Sequence, residues 1–391
     1  METPYRIEPT RLEQVPEALA DTLAEVARRS TELAERLHPE TAASLAELLR
    51  LTNSYYSNLI EGNNTRPRDI ERALAADLDE GRRNLQLEAA AHVRVQREID
   101  QRHARGELGE PASIEFIRWL HRSFYQDAPD STLRVERPNG AHYQMTPGSF
   151  RSAPEHDVVV GRHQPPSSAV VGAFMESFED TFRMSGMGTA GQIARIAIAH
   201  HRFNYVHPFA DGNGRVSRLM SHAMALRAGI GAHGLWSISR GLSRGLPGRP
   251  TYKQMMDAAD APRAGDLDGR GNLSLAALVE FTQWFCDVML DQLTFMSSLL
   301  DLDTFSKRLS DYVSGLLRQG PAAAAIARDV ALRGEVPRGD ASRVTGLGDR
   351  AAREVLARLI EAGLLASRTP KGPVSLRVSA TAAETLFPRL F

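Results

Sequence analysis

Apolar residues recur at intervals of three and four through most of the chain, the spacing that gathers them on one face of an α-helix. Leu19, Leu23, Val26, Leu33 and Leu37 predict a helix over residues 15–37. Leu45, Leu48, Leu49, Tyr55, Tyr56 and Ile60 predict a second over 41–61, stopped by Gly62, Asn63 and Asn64 and kept stopped by Pro67. A short helix near 68–76 and a longer one over 84–101 follow. Ser113 is the expected N-cap of a helix through Tyr125, with Ile114, Ile117, Leu120, His121 and Phe124 inward. Residues 127–148, rich in Pro, Gly and polar side chains, read as a loop. Val158, Val159 and Val160, between Pro154 and Gly161, give the best short strand signal in the chain, and Pro165 and Pro166 end it. Helices are then predicted over 168–182, over the largely apolar 191–203, from 214 through Leu226, and over 273–302. The last stretch predicts a helix over 323–332, a helix-turn-helix from 341–347 and 349–364, and two strands across 365–379. The fold class expected is mainly α, in three parts: 1–110, 111–303 and 304–391.

Composition narrows the setting. At 391 residues the chain is too long for one ordinary core. The net charge of −1 gives no global field to draw in nucleic acid or a membrane. No stretch approaches the ~20 apolar residues of a membrane span, and residues 1–8 lack the pattern of a signal peptide, so a cytoplasmic protein is expected. The single cysteine, Cys286, lies in an apolar run and reads as a buried thiol.

The chemistry is concentrated in residues 207–218. Pro208 breaks the incoming helix, and Gly212 and Gly214 let backbone approach a ligand closely before a new helix begins. Such a turn at a helix N-terminus presents free N–H groups to phosphate, and Asn213 adds a side-chain donor. Arg215 and Arg218, three apart, can share one side of the first turn. Asp211 is a hard oxygen ligand suited to a divalent cation, and His207 is the group here able to take a proton near neutral pH. His200 and His201 are close in sequence, but the spacing of the three histidines fits no common zinc pattern; these two, like His121, read as packed core histidines.

His207, Phe209, Asp211, Gly212, Asn213, Gly214, Arg215 and Arg218 together resemble the signature of the Fic family, His-x-Phe-x-(Asp/Glu)-Gly-Asn-Gly-Arg-x-x-Arg. The resemblance covers roughly residues 113–300. It implies a helical core with a β-hairpin flap over the active site, here at Val158–Val160, and transfer of AMP from ATP to a Ser, Thr or Tyr hydroxyl of a protein. In that reading His207 is the base, and Asp211 holds Mg²⁺ (or Mn²⁺). Gly212, Asn213, Gly214, Arg215 and Arg218 bind the phosphates, and Tyr252 stacks on the base. The usual Tyr-Tyr pair is Thr251-Tyr252 here, without the preceding asparagine. Ser57, Glu61 and Gly62 match the family's inhibitory pattern (Ser/Thr)-x-x-x-Glu-(Gly/Asn), in which the glutamate pairs with the second arginine, Arg218; alone, Glu61 would read as a solvated carboxylate at a helix end.

Residues 306–391 carry fourteen Lys or Arg against eight Asp or Glu and resemble a winged helix-turn-helix, with Arg350 and Arg353 near the start of the recognition helix. DNA and protein are both open as its partner. Two other functions stay open: removal of AMP, with Glu61 orienting water, and nucleotide sensing by a DNA-binding regulator. The target, and whether the chain forms a homodimer, are also open.

Overall fold

A computed structural model describes residues 2–136, 140–317 and 320–391. Helices dominate. The first part comprises α1 (Glu17–Ala34), α2 (Pro39–Ile60), α3 (Pro67–Leu74) and α4 (Arg83–Ala104). The middle contains α5 (Ile114–Tyr125), the one-turn α6 (Asp130–Leu133), α7 (Val171–Phe182), α8 (Thr189–Val206), α9 (Asn213–Arg227), α10 (Ile238–Arg244), α11 (Tyr252–Ala259) and α12 (Leu275–Leu299). Side-chain caps start several of them: Ser113 accepts from the Phe116 N–H, Ser274 caps α12, and Thr251 with Gln254 forms a capping box on α11. The core is continuous. Phe281, Trp284 and Phe285 of α12 are buried against α8, α10 and α11, and α1 packs along the same helix. Cys286 is buried, as expected.

The strand expectations need correction. Val158–Val160 form no strand. A single bridge joins Val160 to His163 around a tight turn, and Val159 is 72% exposed. A β-branched run needs a partner, and the returning chain reaches Pro165 and Pro166, which have no N–H to give. A two-stranded ladder forms instead inside the expected loop: β1 (Arg134–Glu136) pairs antiparallel with β2 (His142–Gln144), Val135 opposite Tyr143. Residues 137–139, part of that expected loop, lie outside the described residues. The missed signal is the alternation Arg-Val-Glu and His-Tyr-Gln, with one half-buried residue at each centre.

The last part contains α13 (Leu302–Leu316), α14 (Gly320–Arg333), β3 (Glu335–Val336), α15 (Ala341–Thr345), α16 (Asp349–Glu361), β4 (Leu365–Ala366), β5 (Val374–Leu376) and α17 (Ala380–Leu386). Its antiparallel sheet has the order β3-β5-β4. Arg350 and Arg353 stand exposed on the first turns of α16. This part is seated on α2 and α3. The buried Thr41 hydroxyl donates to the Ala331 carbonyl at 2.9 Å, Arg368 pairs with Glu40 at 2.7 Å, and the Ala380 N–H donates to Glu71. Arg240 of the middle part donates to the carbonyls of Arg389 and Leu390.

These contacts predict that the last part is not a free appendage. A chain shortened after Asp303 should melt lower than the full chain by at least about 2 °C, about what 1 kcal/mol is worth at this size. Calorimetry showing equal midpoints would make residues 304–391 an independent unit.

Candidate active site

The loop between α8 and α9 is built by side chains that hold its backbone. His207 closes α8 in a left-handed conformation (φ 50°), its N–H donating to the Phe203 carbonyl. Asn213 folds back on the loop: its Oδ1 accepts from the Phe209 N–H at 2.9 Å and its Nδ2 donates to the Phe209 carbonyl at 2.8 Å. The side chain expected to reach a ligand thus staples the turn. Gly212 has φ 82°, and a Cβ there would lie 2.8 Å from the Tyr125 hydroxyl. At Gly214 a Cβ would lie within 2.4 Å of the Glu61 carboxylate, so glycine admits Glu61 as well as any phosphate. Behind the turn, α9 leaves its first N–H groups without intrahelical partners.

Two further residues fix this loop. Arg151, buried, donates from Nε to the His207 carbonyl at 2.8 Å and from its other nitrogens to Ser168 Oγ and the Pro166 and Val206 carbonyls. Its own N–H donates to the Pro208 carbonyl. His121 is a satisfied buried histidine, as expected, but its partners belong to the site. Nδ1 accepts from the Gly148 N–H at 2.8 Å, which assigns the proton to Nε2, donating to the Asp211 carbonyl at 3.2 Å. Its ring stacks on Phe209.

A cleft of about 500 Å³ opens over the loop, lined among others by Glu61, His163, His207, Gly214, Arg218 and Tyr252. Arg218 lies on its floor with its side chain 1% exposed. Its Nε donates to Ser57 Oγ at 2.9 Å, and Nη2 donates to Glu61 Oε1 at 2.6 Å and to the Ser57 carbonyl at 3.2 Å. Residues 157 apart in sequence therefore meet as the inhibitory pattern implied. Burial pushes the Glu61 carboxyl up, but the Arg218 charge and hydrogen bond outweigh it and leave the group below its usual value. Burial, and next the Arg151 charge, depress the His207 imidazole to about 4, so it is neutral at neutral pH.

Tyr252 forms part of the wall, its hydroxyl hydrogen-bonded to His200 Nε2 at 2.8 Å; His200 Nδ1 meets Ser221 Oγ. His201 bonds to Asp260 and to the Met256 carbonyl, so both histidines are structural, as read from sequence. His163, unnoticed in the sequence, ties the flap turn down through Asp260 at 3.0 Å and the Tyr205 carbonyl at 2.7 Å.

Arg215 and Asp211 are not among the residues that line the cleft, yet both lie near enough to Glu61 to act on its charge. Asp211 Oδ2 accepts from the Tyr125 hydroxyl at 3.0 Å and from Arg215 Nη2 at 2.8 Å, while the side chain as a whole is half exposed. Arg215 Nη1 donates to Glu88 Oε2 at 2.7 Å. Burial raises the Glu88 carboxyl above its usual value, partly offset by Arg215. Among the described residues no three His, Cys, Asp or Glu gather in a metal cluster. One half-exposed carboxylate fits a hard cation that completes its shell with phosphate oxygens and water, as Mg²⁺ does. No helix among the described residues is long and apolar enough to cross a membrane.

The comparisons agree with this geometry. A family model described as Fic/DOC family matches residues 111–225. A protein adenylyltransferase Fic from Drosophila willistoni is 37% identical over 82 residues, and one from Drosophila virilis 35%. Each match covers 21% of this chain and only 16% of the relative's length. The fold is shared with a Fic family protein from Desulfovibrio desulfuricans G20, at 16% identity and TM-score 0.54 over 96% of this chain and 98% of that one. It is shared too with a Fic domain containing signaling protein from Bacteroides thetaiotaomicron, at 21% identity and TM-score 0.52 over 70% and 95% of the two chains. Site geometry, family match and fold together lead to one conclusion: this chain carries a Fic/DOC family domain, matched over residues 111–225.

Proposed function

We propose that this protein transfers AMP from ATP to a hydroxyl of a protein side chain, and that Glu61 holds the site in a restrained state. The observation that carries the reading is the convergence of His207, the Gly214 backbone and Arg218 on one cleft with Glu61 already bonded to Arg218. The named relatives, protein adenylyltransferases, support the same reaction class.

In this reading the N–H groups at the start of α9 and the helix dipole hold the phosphates, and Arg218 takes the γ-phosphate. A divalent cation held by Asp211 would neutralise phosphate charge. Neutral His207 takes the proton as the incoming hydroxyl oxygen attacks the α-phosphorus; the bond to the β-phosphate oxygen breaks and pyrophosphate leaves. Catalysis is then alignment plus charge stabilisation. Tyr252 supplies one wall for the base. The exposed turn at Val159 and Val160, held by His163, offers an edge along which a target segment could lie.

His207→Ala should abolish incorporation of label from α-labelled ATP while nucleotide binding persists, because the imidazole is not part of the phosphate cradle. Persistent labelling at the wild-type rate would remove the assigned role. The pH profile adds a second check. A histidine depressed to about 4 keeps its base form as pH falls below the ordinary 6.5, so kcat/KM should stay level from pH 8 to about 6 and fall only below about 5. An acid limb centred near 6.5 would contradict this.

Glu61→Gly should raise labelling. Removing one partner of a buried charge pair costs about 2–5 kcal/mol. Glu61 is 35% exposed, so solvent screening places the effect near the low end. At about 1.4 kcal/mol per decade the rise is about tenfold to a hundredfold. Arg218→Ala should not raise labelling, since productive ATP needs the same guanidinium. Equal labelling by Glu61→Gly and wild type across ATP concentrations would return Glu61 to a passive helix-end carboxylate.

A further inference from the structure

Helix α4 carries no part of the signature, yet it grips α9 at two points. Glu88 and Asp100 lie on it twelve residues apart, with the buried His92 and Gln96 between them at four-residue spacing on the same face. Asp100 pairs with His222 at 2.6 Å and with Arg50 of α2 at 2.7 Å, far along α9 from the loop. Glu88 pairs with Arg215 at 2.7 Å, in the first turn of α9, and Arg215 in turn donates to Asp211. The first contact ties α4 to both α9 and α2. The second reaches the carboxylate read above as the cation ligand.

Arg215 is boxed in. Its side chain is 8% exposed, and its guanidinium lies over the rings of Phe124 and Tyr125 at 5.3 and 5.5 Å. Its Nε is buried, with no acceptor among the described residues. Nη1 and Nη2 are committed to two different carboxylates. Without Glu88, Asp211 would be the one carboxylate hydrogen-bonded to this buried cation among the described residues, and a divalent cation arriving there would compete with it directly. With Glu88 present, Arg215 keeps a counterion of its own. The Glu88–Arg215–Asp211 set then carries one net negative charge, as a cation site requires. Oδ2 of Asp211 is fixed by Arg215 and Tyr125, while the side chain as a whole stays half exposed.

We propose that Glu88 is a positioning residue for the cation site: it anchors Arg215, and through Arg215 it orients and frees the Asp211 carboxylate for a divalent cation. Arg215 accordingly acts behind Asp211 rather than as a ligand of the γ-phosphate. The proposal rests on the assignment of the cation to Asp211 made above. Outer partners of metal ligands commonly govern affinity in this way.

The test is Mn²⁺ binding to the full chain, followed by the electron spin resonance of free Mn²⁺, in the presence of an ATP analogue with an uncleavable α,β-bridge. Asp211→Asn should lose tight binding. Glu88→Gln, which keeps shape and a hydrogen-bond acceptor for Arg215, should weaken binding about tenfold or more. Asp100→Asn, which breaks the structural grip at the far end, should lower the melting temperature without moving Mn²⁺ affinity. In a labelling assay Glu88→Gln should raise the cation concentration for half-maximal rate, with the plateau regained at high cation, a split that general destabilisation would not produce. Wild-type Mn²⁺ affinity in Glu88→Gln alongside a weakened Asp211→Asn would overturn the proposal. So would equal weakening by Asp100→Asn. If Asp211→Asn binds Mn²⁺ like wild type, the fault lies in the cation assignment itself and this inference falls with it.

Discussion

The buried guanidinium of Arg218 is paired with an anion. Arg218 lies on the floor of the cleft with almost no access to water, and the Ser57 hydroxyl and carbonyl satisfy only part of it. In the proposed reading, its Nη2 donor toward the cleft serves one oxyanion at a time. Here that oxyanion is Glu61 at 2.6 Å; in the reaction proposed, it is a phosphate. In the regulatory reading proposed, displacement of one carboxylate at the end of α2 would open that donor to a phosphate.

The rest of the fold supports both halves of that competition. Arg151 binds the carbonyls of the loop, and His121 binds both the loop and Gly148, so His207 and the start of α9 are presented in fixed relation. Glu61 is held by α2, a helix gripped at its opposite end by Thr41 to Ala331 and Glu40 to Arg368. The carboxylate bonded to Arg218 therefore belongs to the same helix on which the last part of the chain is seated.

How much of this was legible in the sequence depended on how close the partners lie along it. The residues of the loop are contiguous, so their chemistry could be read together, and the Ser57–Glu61 pattern had a specified spacing of its own. The long amphipathic helices were legible because periodicity survives errors of a residue or two at their ends. Arg151, His163 and Glu88 were not, because each is a single polar residue whose partners are set only by folding: Arg151 meets a carbonyl 56 positions away, and Glu88 an arginine 127 away. The Glu88-to-Asp100 face of α4, which holds α9 at both points, gave no signal for the same reason. The misplaced strand has a different cause. The Val158–Val160 run has the right propensity, but pairing needs N–H groups on the returning chain, and Pro165 and Pro166 have none. The Asn213 side chain could not be assigned either, since an amide beside a glycine turn suits a ligand and the loop's own backbone equally well.

The most direct measurement is a crystal structure of the Glu61→Gly protein and of the wild type, each soaked with Mg²⁺ and the same uncleavable ATP analogue. The account predicts that in the variant Arg218 holds the γ-phosphate and the α-phosphorus faces His207, whereas in the wild type Glu61 stays on Arg218 and the phosphates are displaced or disordered. A wild-type complex with the γ-phosphate on Arg218 while Glu61 keeps its own bond to that arginine would contradict the claim that the two anions compete for one guanidinium.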